Sequence, residues 1–422
     1  MRPALFLSAL IAIAALTGPV VAAPVAAADV LTPLRVIVLM RHGVRPPTRV
    51  VVIPDGYARE PWAAWDTAPG LLTAHGYRGE VLLGAYDRLM FADAGLLETE
   101  ACPAPRQVRV WADTDQRTRE TGRAWLEGLY PGCDIPVGHS RGQRDDPLFA
   151  AIDLGVAGHD PAMARAAVEA RAGGALDGTM PAVGRAFERL DAILDCCSVT
   201  VCEEAGLEPD CALGQIPHRW EATDPAKRID FEGPLAIGGT AGQTVMLQYL
   251  EGKPMSEVGW GRATEADFIL LSTIHAAEFE LLSRTPYIAD RGATPIMRTV
   301  LENFGDETAP RLHALIGHDT NVGNVGGMLD LHWRVPSYPR DNPPPGGALG
   351  FEVLSDASGA RFVRAFYRSQ TMDQVRELQP LGDANPASYD YLPIPGCADP
   401  CRLETFDALV RGRLVASVTP AR

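Results

Sequence analysis

The chain of 422 residues predicts an α/β fold: a three-layer sandwich with a mainly parallel central sheet and an inserted, mostly helical cap domain. Two observations carry that class. Short apolar runs recur, each passing through a charged or glycine-bearing loop into residues of helical period, which is how strands and helices alternate around a parallel sheet. A long middle stretch keeps the helical period and contains no convincing strand. Hydrophobic residues at 46% and charged residues at 22% are ordinary globular usage, which excludes a disordered, collagenous or coiled-coil chain.

The elements follow in order. Met1 and Arg2 precede an apolar run from Ala4 to Leu16, then Gly18-Pro19 and Ala26-Ala27-Ala28 before Asp29. This reads as a secretory signal peptide over 1–28, with Ala23 as an earlier cleavage point. The run is shorter than the roughly 20 residues of a spanning helix, so we expect a periplasmic or secreted protein that is free of the membrane after cleavage. A first α/β part over 33–144 opens with LRVIVLM (34–40), a strand buried on both faces, followed by a helix over 71–91. RQVRVWAD (106–113) is the second strand and 115–130 the next helix. The cap is expected over 145–260, with helical period in the alanine-rich 160–195 and again in 240–251. The second α/β part, 261–422, holds a long helix over 263–284, the strand RLHALIG (311–317) and a helix over 320–329. LGFEVLSD (349–356) and RFVRAFYR (361–368) flank a short turn and predict a hairpin on the sheet edge. Pro343-Pro344-Pro345 before Gly346-Gly347 reads as a rigid turn before a strand.

Eight cysteines suit an oxidising compartment. Cys102 with Cys133 and Cys397 with Cys401 are plausible local pairs. Cys196, Cys197, Cys202 and Cys211 leave three pairings open, and joining the neighbours Cys196 and Cys197 is the strained one. Zinc is the competing reading of that cluster, but no histidine joins it before His218, so disulfides are preferred.

The balance of 38 basic against 53 acidic residues gives a net charge of −15, the wrong sign for a sequence-independent nucleic-acid binder. Positive charge is nevertheless concentrated after the first strand, where Arg41-His42-Gly43-Val44-Arg45-Pro46-Pro47-Thr48-Arg49 contains no acid. The second strand leads into Asp113, Asp115, Arg117 and Arg119, and the third into Gly317-His318-Asp319-Thr320-Asn321. Ligands of open α/β sheets bind at such strand ends. Two histidines, several arginines and one acid suit a phosphate, because a guanidinium fork matches its oxygens and would repel a metal cation. Gly323 to Met328 lacks dinucleotide-loop spacing. His75, His139, His159, His218, His313 and His332 are read as structural.

RHGVRPPT (41–48) with GHDTN (317–321) resembles the histidine acid phosphatase family, the secreted branch of the histidine phosphatase superfamily. ADTDQRTRETG (112–122), DPLF (146–149), GWGR (259–262), HAAEF (275–279) and PPGG (344–347) follow in the family's order. Bacterial periplasmic phytases and glucose-1-phosphatases are the most similar group. The resemblance implies an enzyme in which His42 is phosphorylated, Arg41, Arg45, Arg117 and His318 hold the phosphoryl oxygens, and Asp319 is the acid. Thr48, Arg49, Asp113 and His275 would line the substrate pocket. It implies no metal and no cofactor, a small-molecule phosphate ester as partner, no nucleic acid, and a monomer. Phytate and a simpler sugar phosphate both remain as substrates; a binding protein without turnover and a phosphomutase are the alternatives from other classes. In the phytases an acidic residue is expected before GWGR and a basic one after the R-T-P turn. Here Gln243 and Gly292 fall at those places, with Arg291 one position early.

Overall fold

The computed structural model describes residues 31–174, 176, 180–221 and 227–418, so the leader proposed over 1–28 lies outside the described residues. Strand β1 (Thr32–Arg41) is buried from Val36 onward, as its unbroken apolar run requires. It is followed by α1 (Ala74–Asp93), β2 (Val108–Ala112), α2 (Gln116–Leu129) and the short β3 (Val137–Gly138). A helical stretch comes next: α3 (Pro161–Arg171), α4 (Met180–Leu194) and α5 (Val199–Glu204). The small pair β4 (Arg219–Trp220) and β5 (Phe231–Glu232) leads into α6 (Pro234–Leu250), α7 (Glu265–Leu282) and α8 (Pro286–Gly305). The sheet resumes with β6 (Leu312–Gly317), α9 (Asp319–Met328), β7 (Ala348–Ser355) and β8 (Arg361–Ser369). The chain continues through α10 (Met372–Arg376), β9 (Ser388–Leu392), β10 (Cys401–Arg402) and α11 (Leu403–Arg413).

The main sheet has the order β10-β8-β7-β1-β6-β2-β3, with β9 also paired to β8. Strands β1, β6, β2 and β3 run parallel. The β7–β8 hairpin continues the sheet antiparallel on the other side of β1. It is not the edge that the sequence suggested, because β9 and β10 cover β8. Those covering strands are too short or too polar to stand out in a hydrophobic pattern.

Side chains alternate between the two faces of the strands. Ile37, Leu39, Leu315 and Phe351 point into one core shared with residues of α3 to α9 and α11. Val36, Val38, Met40, Ala314 and Ile316 point into a second, with Trp125, Leu126 and Leu129 of α2. This gives three layers. Helices α1 and α2 lie unusually close, since a Cβ on Gly84 or Gly128 would come within 2.0 Å of a carbonyl on the other helix.

The fold refines four readings of the sequence. The 160–195 stretch is two helices, and 240–251 is the end of a helix that begins at Pro234, a favoured first helical residue. Helix α8 was not foreseen, because Pro295 inside it reads as a break. The disulfides are Cys102–Cys133, Cys397–Cys401, Cys202–Cys211 and the vicinal pair Cys196–Cys197, so the pairing that local geometry disfavoured is the one present.

Candidate active site

The parallel strands β1, β6 and β2 are neighbours, and their carboxyl ends bring three loops together. The first strand's end is latched on both sides. Arg41 N donates to Gly347 O at 2.9 Å, His42 N to Gly317 O at 3.0 Å, and Gly346 N back to His42 O at 3.3 Å. The proline-glycine turn is therefore part of the site. Pro343 O also accepts from Arg41 Nη1 at 2.6 Å, and buried Arg368 donates to Gly346 O at 2.9 Å. From the other face, Thr121 Oγ1 of α2 accepts Gly43 N at 2.9 Å.

His42 is 2% exposed. Its Nδ1 lies 2.9 Å from Gly43 O. A carbonyl only accepts, so Nδ1 carries the proton and Nε2 keeps its lone pair. Burial first, then the charges of Arg45, Arg117, His318 and Arg41, hold its pKa well below the ordinary histidine value. The hydrogen bond and the lowered pKa both favour the neutral ring with its lone pair at Nε2.

Arg41 is 1% exposed, and its Nη2 lies 2.8 Å from Asp319 Oδ2. Burial pushes the Asp319 carboxyl up, but Arg41, His275, Arg45 and His318 outweigh it and hold the acid well below the usual carboxylate range. Asp319 also opens α9, where the helix dipole favours negative charge. Arg45 is pulled down to about 9 by burial and by Arg41 and Arg117, which still leaves it charged at neutral and acid pH. Arg117, on the first turn of α2, pairs with Asp115 at 2.6 Å.

His318 stands edge-on to His42, with ring centroids 5.6 Å apart. Its Nε2 is bonded to Asp113 Oδ2 at 2.7 Å, so only Nδ1 is left for a phosphate oxygen. Asp113 is itself fixed by Thr114 N at 2.7 Å and Asp146 N at 3.3 Å. Burial would raise its pKa, yet these bonds and His318 lower it. The DPLF segment takes its place here as the support of Asp113 and of Asn321, whose Nδ2 donates to Phe149 O at 2.8 Å.

The sequence singled out Gln243 only as a departure, but it is central. Arg41 Nη2 can only donate, so it faces Gln243 Oε1 at 3.3 Å, and Gln243 Nε2 then donates to His275 Nε2 at 2.7 Å. His275 is therefore a neutral acceptor, in keeping with burial pulling its pKa down to about 4. Asp115 was likewise in view only as part of a motif. No periodicity marks either residue: Gln243 meets Arg41 from far along the chain, and Asp115 is an acid two residues before its partner Arg117. Gly292 packs in α8 against Asn324, with no room for a long side chain, and Arg291 lies over the Tyr287 ring, 3.6 Å from its centroid. Neither lines the pocket.

Arg45, Gln243 and His275 border a cavity of about 760 Å³. Thr48 and Arg49, exposed on the loop after β1, line it further out. His318, Asp113, Asp115 and Thr320 border a second hollow of about 490 Å³. Of the ten residues named from sequence, then, Arg41, His42, Arg45, Arg117, His318 and Asp319 converge at the strand ends. Asp113 and His275 act through neighbours, and Thr48 and Arg49 stand at the mouth.

Residues 55–163 match the histidine phosphatase superfamily (branch 2). The chain is 33% identical over 398 residues to Phytase AppA of Escherichia coli, covering 89% of this chain and 90% of that protein. It is 29% identical over 356 residues to the glucose-1-phosphatase of Salmonella typhimurium, covering 82% of this chain and 84% of that one. The structure of Hafnia alvei phytase in complex with tartrate superposes with a TM-score of 0.85 at 34% identity, covering 92% of this chain and 98% of that one. The phytase from Citrobacter braakii gives 0.83 at 32% identity, covering 92% and 99%. With the RHGVRPPT and GHDTN loops at adjoining strand ends, the chain belongs to the histidine acid phosphatase family of this superfamily and is a phosphoric monoester hydrolase.

Proposed function

We propose that the protein is an exported acid phosphatase that works through a phosphohistidine at His42. The observation that carries this is the tautomer of His42: Nδ1 is spent on Gly43 O, and Nε2 is left as the nucleophile among three arginines and His318. Nε2 bonds to phosphorus as the ester P–O bond breaks, and Asp319 gives its proton to the departing alcohol. Water then attacks phosphorus, its proton passes to the Asp319 carboxylate, and the N–P bond breaks to release phosphate. Arg41, Arg45, Arg117 and His318 Nδ1 hold the non-bridging oxygens throughout.

Asp319 starts ionised against Arg41, whereas a general acid needs a proton. A phosphate dianion seated among the same arginines cancels their field and returns Asp319 toward its protonated form. Asp113 fixes the His318 ring, and Gln243 holds Arg41 and His275 in register.

No helix among the described residues is long and apolar enough to cross a membrane. Four disulfides and the N-terminal apolar run support a periplasmic or secreted enzyme, which we read as a monomer with 145–260 as a cap over the cavity. Phytate is the substrate that the similar structures favour. A second reading, a sugar monophosphate, is favoured by the cavity's outer lining, where among the described residues the acids Asp55, Glu204, Glu221, Asp230 and Glu232 outnumber Arg49 and Arg219. The mechanism is tested by rapid quenching with a labelled phosphate ester, which should leave acid-labile phosphate on His42. Label on another residue would overturn it. Parallel kcat/KM values for inositol hexakisphosphate and glucose 1-phosphate decide the substrate.

A further inference from the structure

The wall of the cavity that faces the alcohol has an unusual support. It is made by the loop carrying Ile53, Asp55 and Tyr57 and by α5, which contributes Val201 and Glu204. The loop has no strand or helix of its own between Val50 and Tyr57. Its backbone bonds across to the end of α4 and the start of α5: Ser198 N donates to Gly56 O at 2.9 Å, and Arg59 N to Leu194 O at 3.1 Å. Arg59 Nη1 adds an exposed pair with Asp195 at 2.7 Å. Between the two backbone bonds lie Cys196 and Cys197, joined to each other. The seam is tight as well as bonded. Gly56 has φ +87°, and a Cβ there would come within 2.5 Å of Ser198 Oγ and 2.8 Å of Val201.

A disulfide between adjacent residues closes a small ring around their shared peptide bond and crosslinks nothing else. Cys202–Cys211 already ties α5 to the following turn, so the vicinal pair adds no long-range staple. Its effect is local: it removes the freedom of two residues where the seam must keep Leu194 and Ser198 in register with Arg59 and Gly56. Both cysteines also pack against the main core, which anchors that ring.

We propose that the Cys196–Cys197 disulfide is a specificity-determining positioning element, fixing the 53–59 loop and α5 as the wall against which the alcohol part of the substrate rests. The proposal rests on the phosphatase reading of this cavity. Its consequence is a split: binding of the alcohol should depend on the ring, while binding of phosphate and the chemical step, built on β1, β6 and α2, should not.

The test is Cys196→Ser/Cys197→Ser in the otherwise intact chain, assayed with glucose 1-phosphate and inositol hexakisphosphate as substrates and inorganic phosphate as inhibitor. KM for the better of the two esters should rise roughly 3- to 10-fold. Its kcat and the inhibition constant of phosphate should stay within about twofold of the parent. Gly56→Ala, which disturbs the same seam with the disulfide intact, should give the same split and replaces the double variant if that does not fold. Unchanged KM in a folded variant, or equal losses in phosphate binding and kcat, would overturn the proposal. Trapping of phosphate on His42 in the same variants tests the phosphatase reading separately, since the seam plays no part in it.

Discussion

At the phosphate end of the site, Arg41 and His42 are almost fully buried and held by backbone bonds to Gly317 on one side and Gly346 and Gly347 on the other. At the alcohol end, Asp55 and Glu204 are exposed, and their segments are held by a few loop-to-loop bonds and two disulfides. The two ends are joined through Arg45 and Gln243, which border the cavity, but differ in what a side chain can rely on. Strand ends fix a nucleophile because the backbone groups beside it are already paired, here with Gly317, Gly346, Gly347 and the Thr121 hydroxyl. A loop lacks that lattice and must be tied one contact at a time, which leaves it free to differ between relatives that act on different esters.

This contrast predicts that damage at the phosphate end reaches every substrate alike. His42→Ala removes the group we propose forms the phosphoenzyme, so turnover should fall by at least about 10⁴-fold on all esters, measured by steady-state phosphate release. Recovery of more than a trace of activity would show that another nucleophile serves.

Asp319→Asn should separate substrates by leaving group instead. Alkyl phosphates need a protonated leaving oxygen and should slow by about 10²- to 10⁴-fold, nitrophenyl phosphate much less. For the parent, hydrolysis of alkyl phosphates should be fastest in acid and fall toward neutrality as protonated Asp319 becomes scarce. Stopped assays across pH check both outcomes; equal losses on the two esters would remove Asp319 from the acid role.

The phosphate end also carries a hidden cost in stability. Glu80 of α1 is buried beneath Gly43 and Gly346, its Oε2 has no partner, and burial pushes its carboxyl up to about 8. The folded state keeps a proton that the unfolded chain loses near 4.5. Its contribution is therefore full below the unfolded value and is lost as pH rises toward the folded one. Glu80→Gln should raise stability by about 2–4 kcal/mol near pH 8 and by almost nothing near pH 4. Denaturant melts at the two pH values measure it, and equal shifts at both would show that Glu80 is not protonated in the fold.

The smallest of these effects concerns a residue that acts through another. Asp113→Asn keeps the shape but weakens the hold on His318, and should lower kcat by about 10- to 100-fold while leaving KM for the ester within about threefold. A change in KM alone would make Asp113 a substrate contact.

Much of the phosphate end was legible from the chain alone. An unbroken apolar strand followed by Arg41, His42 and Arg45 in a chain of net charge −15 already marked an anion site. The same held for the strand before His318 and Asp319, because burial on both faces leaves a local hydrophobic signal and a strand end has a fixed place in a parallel sheet. What could not be read was the cross-chain contacts. Gln243 joins Arg41 to His275 across more than two hundred residues, and nothing near Gln243 in sequence announces either partner. The sequence leaves the pairing among Cys196, Cys197, Cys202 and Cys211 open, with the vicinal bond the strained choice, and Pro295 hides helix α8. The layers, the strand-end loops and the chemical character of the phosphate end can be read along the chain, since each depends on residues close together in it. The partner of Asp113, the Gln243 link and the support of the alcohol wall come from the folded chain alone, because each is set by which distant backbone or side-chain atom closes the remaining hydrogen bond.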